Sequence, residues 1–272
     1  MGALRDVSML RRSLRERQER KHTELREEIG PPSGWNADER RVLEDAGVVE
    51  RWIEIIRDFP RTSIVEEGAA LRRIFDRGGD VVFEGAQGVL LDEWRGFHPH
   101  TTWSTCTFDN ALELLRGRDR DVTKLGVLRT YATRHGPGPF PTEDRSLDAL
   151  LPEPHNATHT FQGAFRRGWF DAVLARYAVE ACDGIDALAL THVDALSRID
   201  RWRMATRYAS IDRLPLAAKH TLSSALTALL LSADPRYETP ADPIAAIEEC
   251  IGKTSSILVE GPTAAHARFD TR

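Results

Sequence analysis

Gln87 stands between two glycines in Phe83-Glu84-Gly85-Ala86-Gln87-Gly88, directly after the apolar run Val81-Val82-Phe83. A side-chain amide carries both a donor and an acceptor, which the edge of a heterocyclic base requires. The flanking glycines let a ligand come close to the backbone. Taken alone, the same residues also describe a turn with an incidental glutamine. Three further polar or glycine-rich segments close apolar runs: Arg134 to Gly138, Thr191 to Asp194, and Glu260 to Pro262. His98 and His100 have strand-like spacing, but no third metal ligand accompanies them, so no metal site is expected. Ile251-Gly252-Lys253-Thr254 looks like the tail of a phosphate-binding loop, yet Ile247 stands where its first glycine belongs, and it reads as a helix end.

The elements that must position these residues follow from periodicity. Val81 to Phe83, Leu125 to Tyr131, Ala187 to Leu190 and Ile257 to Val259 are short apolar runs of the kind found in buried parallel strands. Between them lie helical patterns over Trp169 to Cys182, Pro215 to Leu231 and Pro243 to Cys250. The expectation is an α/β fold, a mostly parallel sheet flanked by helices, with Arg201 to Tyr208 as an antiparallel ribbon on its flank. In such sheets ligands bind beyond the carboxyl ends of the strands, where the four segments above fall. Ahead of the sheet the chain is helical and charged. Val7 to Glu28 carries a thin apolar stripe and is broken by Gly30-Pro31-Pro32-Ser33-Gly34, and Asn36 is a candidate N-cap. Val42, Ala46, Val49, Trp52, Ile53 and Ile56 form one amphipathic helix that Pro60 stops, and Ser63 to Phe75 forms another. Residues 1–79 are therefore a helical region packing on an α/β nucleotide-binding core of residues 80–272, together one compact domain.

Composition narrows the class. With 272 residues and 41% hydrophobic content the chain has enough apolar material for a sizeable core. A formal charge of −5 argues against nucleic-acid binding, which favours a basic patch. No apolar run reaches the roughly 18 residues of a membrane span, and the charged start lacks the apolar stretch of a secretory signal. Cys106, Cys182 and Cys250 form no CxxC pair, so neither a disulfide framework nor a zinc site is expected. The reading is a soluble cytoplasmic protein.

Three blocks occur in a telling order: Gly85-Ala86-Gln87-Gly88 with Leu90-Leu91-Asp92, then Thr133-Arg134-His135-Gly136-Pro137-Gly138-Pro139-Phe140-Pro141-Thr142-Glu143, then Thr191-His192-Val193-Asp194. From about Leu4 to Ala264 the chain resembles the adenylosuccinate synthetase family. The resemblance implies a GTP-dependent ligase that joins aspartate to the purine of inosine monophosphate (IMP). It implies that Gln87 contacts hypoxanthine, that Thr102 helps hold the IMP phosphate, and that His135 stands where a small apolar residue meets the ribose. It implies that Asp194 pairs with the guanine of GTP, that His192 replaces a frequent lysine, and that Gly261 and Pro262 cover the other side of the guanine. Arg166 and Arg167 fall in the loop that clamps the second substrate's carboxylates; that loop is one residue shorter here, and Phe165 intrudes. They either still bind a carboxylate or are solvated arginines before a helix. After Thr102 the usual Ser-Ser-Asn becomes Trp103-Ser104-Thr105.

The family's glycine-rich phosphate loop, G-D-E-G-K-G-K, does not occur in these residues. No catalytic residue is therefore assigned. GTP is expected as co-substrate, and Mg²⁺ only where a partner completes the site. The first reading is one subunit of a split ligase acting on IMP or a related purine nucleotide, with a partner protein carrying the loop, in a homo- or hetero-oligomer. The second is a non-catalytic nucleotide-binding or regulatory homologue, and the third an interaction remnant.

Overall fold

The computed structural model describes residues 6–57, 69–118, 121–153, 156, 163–216, 218 and 224–269. Arg5, Pro60, Gln162, residues 63–68 of the helix expected over 63–75, and residues 217 and 219–223 of the helix expected over 215–231 lie outside the described residues, and Pro215 and Leu216 are not helical. The chain divides into two compact units, Met1–Val82 and Phe83–Arg272.

In the first unit, Asp6 caps α1 (Val7–Ile29) by accepting from the amides of Ser8 and Met9. Asn36 caps α2 (Ala37–Glu44) through the amide of Asp38. The single helix expected over Val42 to Ile56 is two helices instead. Glu44 ends α2, and α3 spans Gly47–Arg57. The Asp45 carboxylate accepts from the Gly47 amide at 2.7 Å, a local turn that competes with helix continuation. Val49 and Ile53 are buried, whereas Val42 and Trp52 are more than half exposed. Arg11 of α1 donates twice to Glu50 of α3, at 2.8 and 3.0 Å. The last helix of the unit, α4, spans Ala69–Asp76.

The second unit is built on a four-stranded sheet. Its strands β1 (Leu125–Arg129), β5 (Ala187–Thr191) and β8 (Ser255–Val259) are parallel, and β9 (Ala267–Phe269) closes the edge antiparallel to β8. Leu188 and Leu190 of β5 are fully buried in one cluster with Ala172 and Ala175 of α7 (Ala172–Ala181) and Ile247 of α9 (Pro243–Ile251). An antiparallel pair, β2 (Ala132–His135) with β3 (Phe165–Gly168), extends from the end of β1. A third sheet pairs β4 (Phe170–Asp171) with β6 (Met204–Tyr208) and β6 with β7 (Pro235–Glu238). The β6–β7 pair is the flanking antiparallel ribbon. Two short helices, α5 (Asp109–Leu114) and α6 (Leu147–Leu150), and α8 (Ser224–Leu231) complete the unit. Gly252 ends α9 in the left-handed conformation at φ 72°, so Ile251 to Thr254 is a helix end. Among the described residues no helix is long and apolar enough to cross a membrane.

Val81 to Phe83 corrects an expectation. The segment belongs to no strand, and Val82 is 89% exposed. Its apolar pattern suits a buried strand, but a strand needs a neighbour to receive its backbone hydrogen bonds, and none of the described strands pairs with it. The Trp169 to Cys182 helix also starts later than its pattern, at Ala172, because Asp171 caps it.

Asp171 yields a pH prediction. It is buried, accepts from the amides of Val173 and Leu174, and accepts from the Tyr208 hydroxyl at 2.6 Å. Burial pushes its carboxyl up from 3.8 to about 6 against those hydrogen bonds. A raised folded-state value means the stabilising contribution is fully present below about pH 3.8 and is lost as pH rises through about 6. Asp171→Asn keeps an acceptor for the cap but no longer titrates. The wild-type melting temperature should therefore fall relative to this variant between about pH 4 and 6. Parallel melting curves across that range would dismiss the assignment.

Candidate functional site

The carboxyl ends of β1 and β5 are tied together by buried polar contacts. The Thr130 hydroxyl donates to the His192 carbonyl at 2.7 Å, the Trp202 indole donates to the Thr130 carbonyl at 2.7 Å, and the Thr191 hydroxyl donates to the Leu128 carbonyl at 3.2 Å. His192 adopts a left-handed conformation, φ 58°, and turns the chain into the short helix Val193–Arg198 that presents Asp194 in its first turn. The Asp194 carboxylate accepts from Arg198 at 3.1 Å. β8 runs beside β5, so Gly261 and Pro262 leave the sheet at the same end. A side chain at Gly261 would meet the His266 ring at 2.7 Å, which keeps that loop close to the turn Ala264–His266.

A second group of predicted residues gathers around the segment after Gln87. Gln87 is exposed, and the turn Val89–Leu91 follows it. The Thr102 amide donates to the Leu91 carbonyl at 2.8 Å, so Thr102 is held against that turn. Asp92 organises the loop between them. It is 1% exposed; one carboxylate oxygen accepts from the amides of Trp94 and Arg95, and the other from the amide of Cys106 at 2.6 Å. Arg134 donates to the His100 carbonyl at 3.1 Å and joins this loop to β2. Gly138, at φ 111°, makes that approach possible, since a Cβ there would lie 2.3 Å from the Arg134 guanidinium. Burial and the neighbouring Arg166 charge lower the Arg134 pKa to about 10. Trp103 projects almost fully into solvent. His98 is bonded within its own loop, its Nε2 2.6 Å from the Glu93 carbonyl.

Arg166 and Arg167 are not brought together. As neighbours in β3 they leave opposite sides of the strand. Arg166 donates to Glu143 at 2.7 Å and to the Gly138 carbonyl at 2.9 Å, with its guanidinium 5.3 Å from the Phe140 ring centre. Arg167 donates to the Leu151 carbonyl at 2.5 Å and to Asp148 at 3.0 Å, and lies 5.0 Å from the Phe165 ring centre. Neither is a free solvated arginine.

Glu153 is the residue that reasoning from sequence misses. One carboxylate oxygen accepts from the Tyr131 hydroxyl at 2.6 Å and from Arg129 at 2.5 Å, with His192 Nε2 at 3.6 Å. Its other oxygen accepts from the Asn156 amide at 2.9 Å, and Asn156 Oδ1 lies 3.3 Å from His135 Nε2. Burial pulls the Glu153 carboxyl upward, but the bonds from Tyr131 and Asn156 and the Arg129 charge bring it below its ordinary value. Burial and Arg129 lower the His192 pKa, opposed by Glu153 and Asp194. A lone acid between two prolines carries no sequence signal of partners up to 39 positions away. Among the described residues no three His, Cys, Asp or Glu side chains converge as a metal site requires.

Comparison with known proteins gives a consistent assignment. A family model described as adenylosuccinate synthetase matches residues 1–241. The adenylosuccinate synthetase of a Thermus thermophilus strain is 35% identical over 210 residues, covering 76% of this chain and 48% of that protein. The one from Mycobacterium leprae is 40% identical over 164 residues, 59% of this chain and 38% of that protein. The chain thus spans about half the length of the curated relatives it matches. The structure of fully ligated adenylosuccinate synthetase from Plasmodium falciparum superposes with a TM-score of 0.71, covering 99% of this chain and 65% of that one. At 19% identity that likeness speaks for the fold.

Proposed function

The chain belongs to the adenylosuccinate synthetase family, and from that premise we propose that residues 1–272 are the base-reading part of a cytoplasmic GTP-dependent C–N ligase. Its acceptor is IMP or a related purine nucleotide. The observation that carries the proposal is the convergence of the loops after β1, β5 and β8, with Asp194 and Gly261 to Pro262, at one end of a parallel sheet. The nucleotide-binding core is residues 80–272.

Each residue has a task in this reading. Gln87 pairs with the hypoxanthine edge, and Thr102 donates its hydroxyl to the nucleotide phosphate. His135 and Phe165 wall the sugar. Asp194 accepts from the N1–H and amino group of guanine, which adenine does not offer, and His192 with Gly261 and Pro262 borders that base. In the reaction the γ-phosphoryl group of GTP moves to the purine O6, and the amine then displaces it as inorganic phosphate. The phosphate-gripping loop comes from outside these residues, on a partner polypeptide in a hetero-oligomer. The outer strand β1 offers a place for it: Leu125 and Val127 are exposed, whereas parallel sheets are ordinarily covered on both faces. In this reading Mg²⁺ binds only where that partner completes the site.

The amine is the least family-like part. Arg166 and Arg167 already serve internal acceptors on opposite sides of β3, so two carboxylates of one aspartate are not clamped by the pair. Each lost charge-assisted contact costs about 1.5–3 kcal/mol. The complex with its loop-bearing partner should use asparagine, alanine or hydrazine-type amines at least as well as aspartate. A clear preference for aspartate would refute this part. The same arginine engagement favours a second reading, a regulatory homologue that binds nucleotide without turnover. Co-purification followed by identification of any bound nucleotide and partner separates the two.

A further inference from the structure

His192 is a left-handed residue, φ 58°, at the carboxyl end of β5. That conformation is costly for a residue with a Cβ and persists only where the surroundings fix it. Its backbone is fixed by two bonds to its carbonyl, from the Thr130 hydroxyl at 2.7 Å and from the Ala195 amide at 3.0 Å. Its ring is held separately. The Thr191 hydroxyl gives its proton to the Leu128 carbonyl, so the same hydroxyl oxygen accepts from His192 Nδ1 at 3.1 Å. A neutral ring then has no proton on Nε2, which faces Glu153 Oε1 across 3.6 Å as one acceptor faces another. A second proton, on Nε2, turns that contact into an ion pair. It would tie the end of β5 to the end of β1, because Arg129 and Tyr131 already donate to the same Glu153 oxygen.

We propose that Glu153 is a positioning residue: it closes on the protonated His192 ring, clamps the carboxyl ends of β1 and β5 together, and steadies the turn that presents Asp194. The consequence for guanine rests on the reading of the site given above. The His192 side chain is 37% exposed, so protons reach it from solvent. The groups that face it are Arg129 from β1, Tyr131 edge-on with ring centres 5.5 Å apart, Glu153, Thr191 from β5, and Asp194 from its own turn. Burial and Arg129 oppose the charged ring, Glu153 and Asp194 favour it, and the balance falls below the ordinary 6.5. The Glu153 carboxyl lies below its own ordinary value, so it is still an anion where His192 takes up its proton. The clamp is therefore open at neutral pH and closes as pH falls through the His192 range.

Nitrogen-15 imidazole NMR of the full chain follows the titration of His192 directly. Glu153→Gln keeps the shape and removes the attracting charge, so His192 should take up its proton at a lower pH than in the wild type. Arg129→Gln removes the opposing charge and should move the titration the other way, so either variant alone tests the coupling. A His192 titration that does not move overturns the clamp. Positioning of the turn is read at the Ala195 amide. Its protection against hydrogen exchange should rise on acidification in the wild type and not in Glu153→Gln, whereas a Glu153 that only fills space would leave the two profiles alike. Matching profiles overturn the positioning role. GDP binding between about pH 7.5 and 5 tests the consequence for the base. Affinity should rise about two- to fivefold more on acidification in the wild type than in Glu153→Gln or His192→Gln, the worth of a partly exposed ion pair. Equal profiles in the three proteins, with GDP bound, overturn the effect on Asp194. Absence of GDP binding at every pH overturns the guanine reading, while the NMR titration still decides the clamp.

Discussion

A metal-cleaned preparation of residues 1–272 alone is expected to release no phosphate from GTP above the uncatalysed rate. Phosphoryl transfer gives a protein little covalent work; catalysis is positioning and stabilisation of charge on the moving phosphoryl oxygens. The described residues place Asp194 and the Gly261 to Pro262 loop at the carboxyl end of the parallel sheet, whereas residues 1–272 contain no G-D-E-G-K-G-K sequence. Removing a single donor aimed at a developing charge typically costs about 10²–10³ in rate. Lacking a whole phosphate loop, the chain should show no turnover at all. Addition of a polypeptide bearing that loop should restore GTP-dependent amination of a purine nucleotide by orders of magnitude. Steady phosphate release by the homogeneous chain on its own would overturn the account.

Guanine selection should be the second large effect. With Asp194 as reader, GDP and GTP should bind more tightly than ADP and ATP. Asp194→Asn places a donor where guanine also donates and loses hydrogen bonds to a charged acceptor, worth about 1.5–3 kcal/mol, or roughly ten- to a hundredfold in affinity. Arg198 sharpens the test. It donates to Asp194 at 3.1 Å from four residues along the same short helix and holds the carboxylate in place. Arg198→Ala should therefore weaken guanine binding less than Asp194→Asn does, while keeping the order of guanine over adenine. Titration calorimetry showing equal affinities for the two bases in the unmodified protein would end this assignment.

Much of the framework was legible because it is written locally. Asn36 caps its helix through the amide two residues on. The apolar runs ending at Leu190 and Val259 are strands of the parallel sheet. Arg201 to Tyr208 contains the strand that forms the flanking ribbon. Of the four segments predicted to close strands of the parallel sheet, Thr191 to Asp194 and Glu260 to Pro262 do so, whereas Arg134 and His135 lie inside β2; the family resemblance carried by the Gln87, Arg134 and Asp194 blocks agrees with the match over residues 1–241. The break at Asp45 was also local, in an Asp two residues before a glycine, but the apolar spacing across it was the louder pattern.

Periodicity, helix caps and the residue types at strand ends are local properties of the chain, since each depends on neighbours within one turn or one strand. Tertiary structure alone decided the partners. Val81 to Phe83 has the composition of a strand, yet none of the described strands pairs with it, and a strand exists only where another backbone receives its hydrogen bonds. Arg166 and Arg167 look alike in sequence, yet the pleat sends one to Glu143 and the other to Asp148. Glu153 is ordinary as a letter; its four neighbours, Arg129, Tyr131, Asn156 and His192, reach it from both sides in the sequence. The physical reason is range: propensity and capping act over a few residues, whereas charge and hydrogen-bond satisfaction at a buried group depend on whatever the fold packs against it.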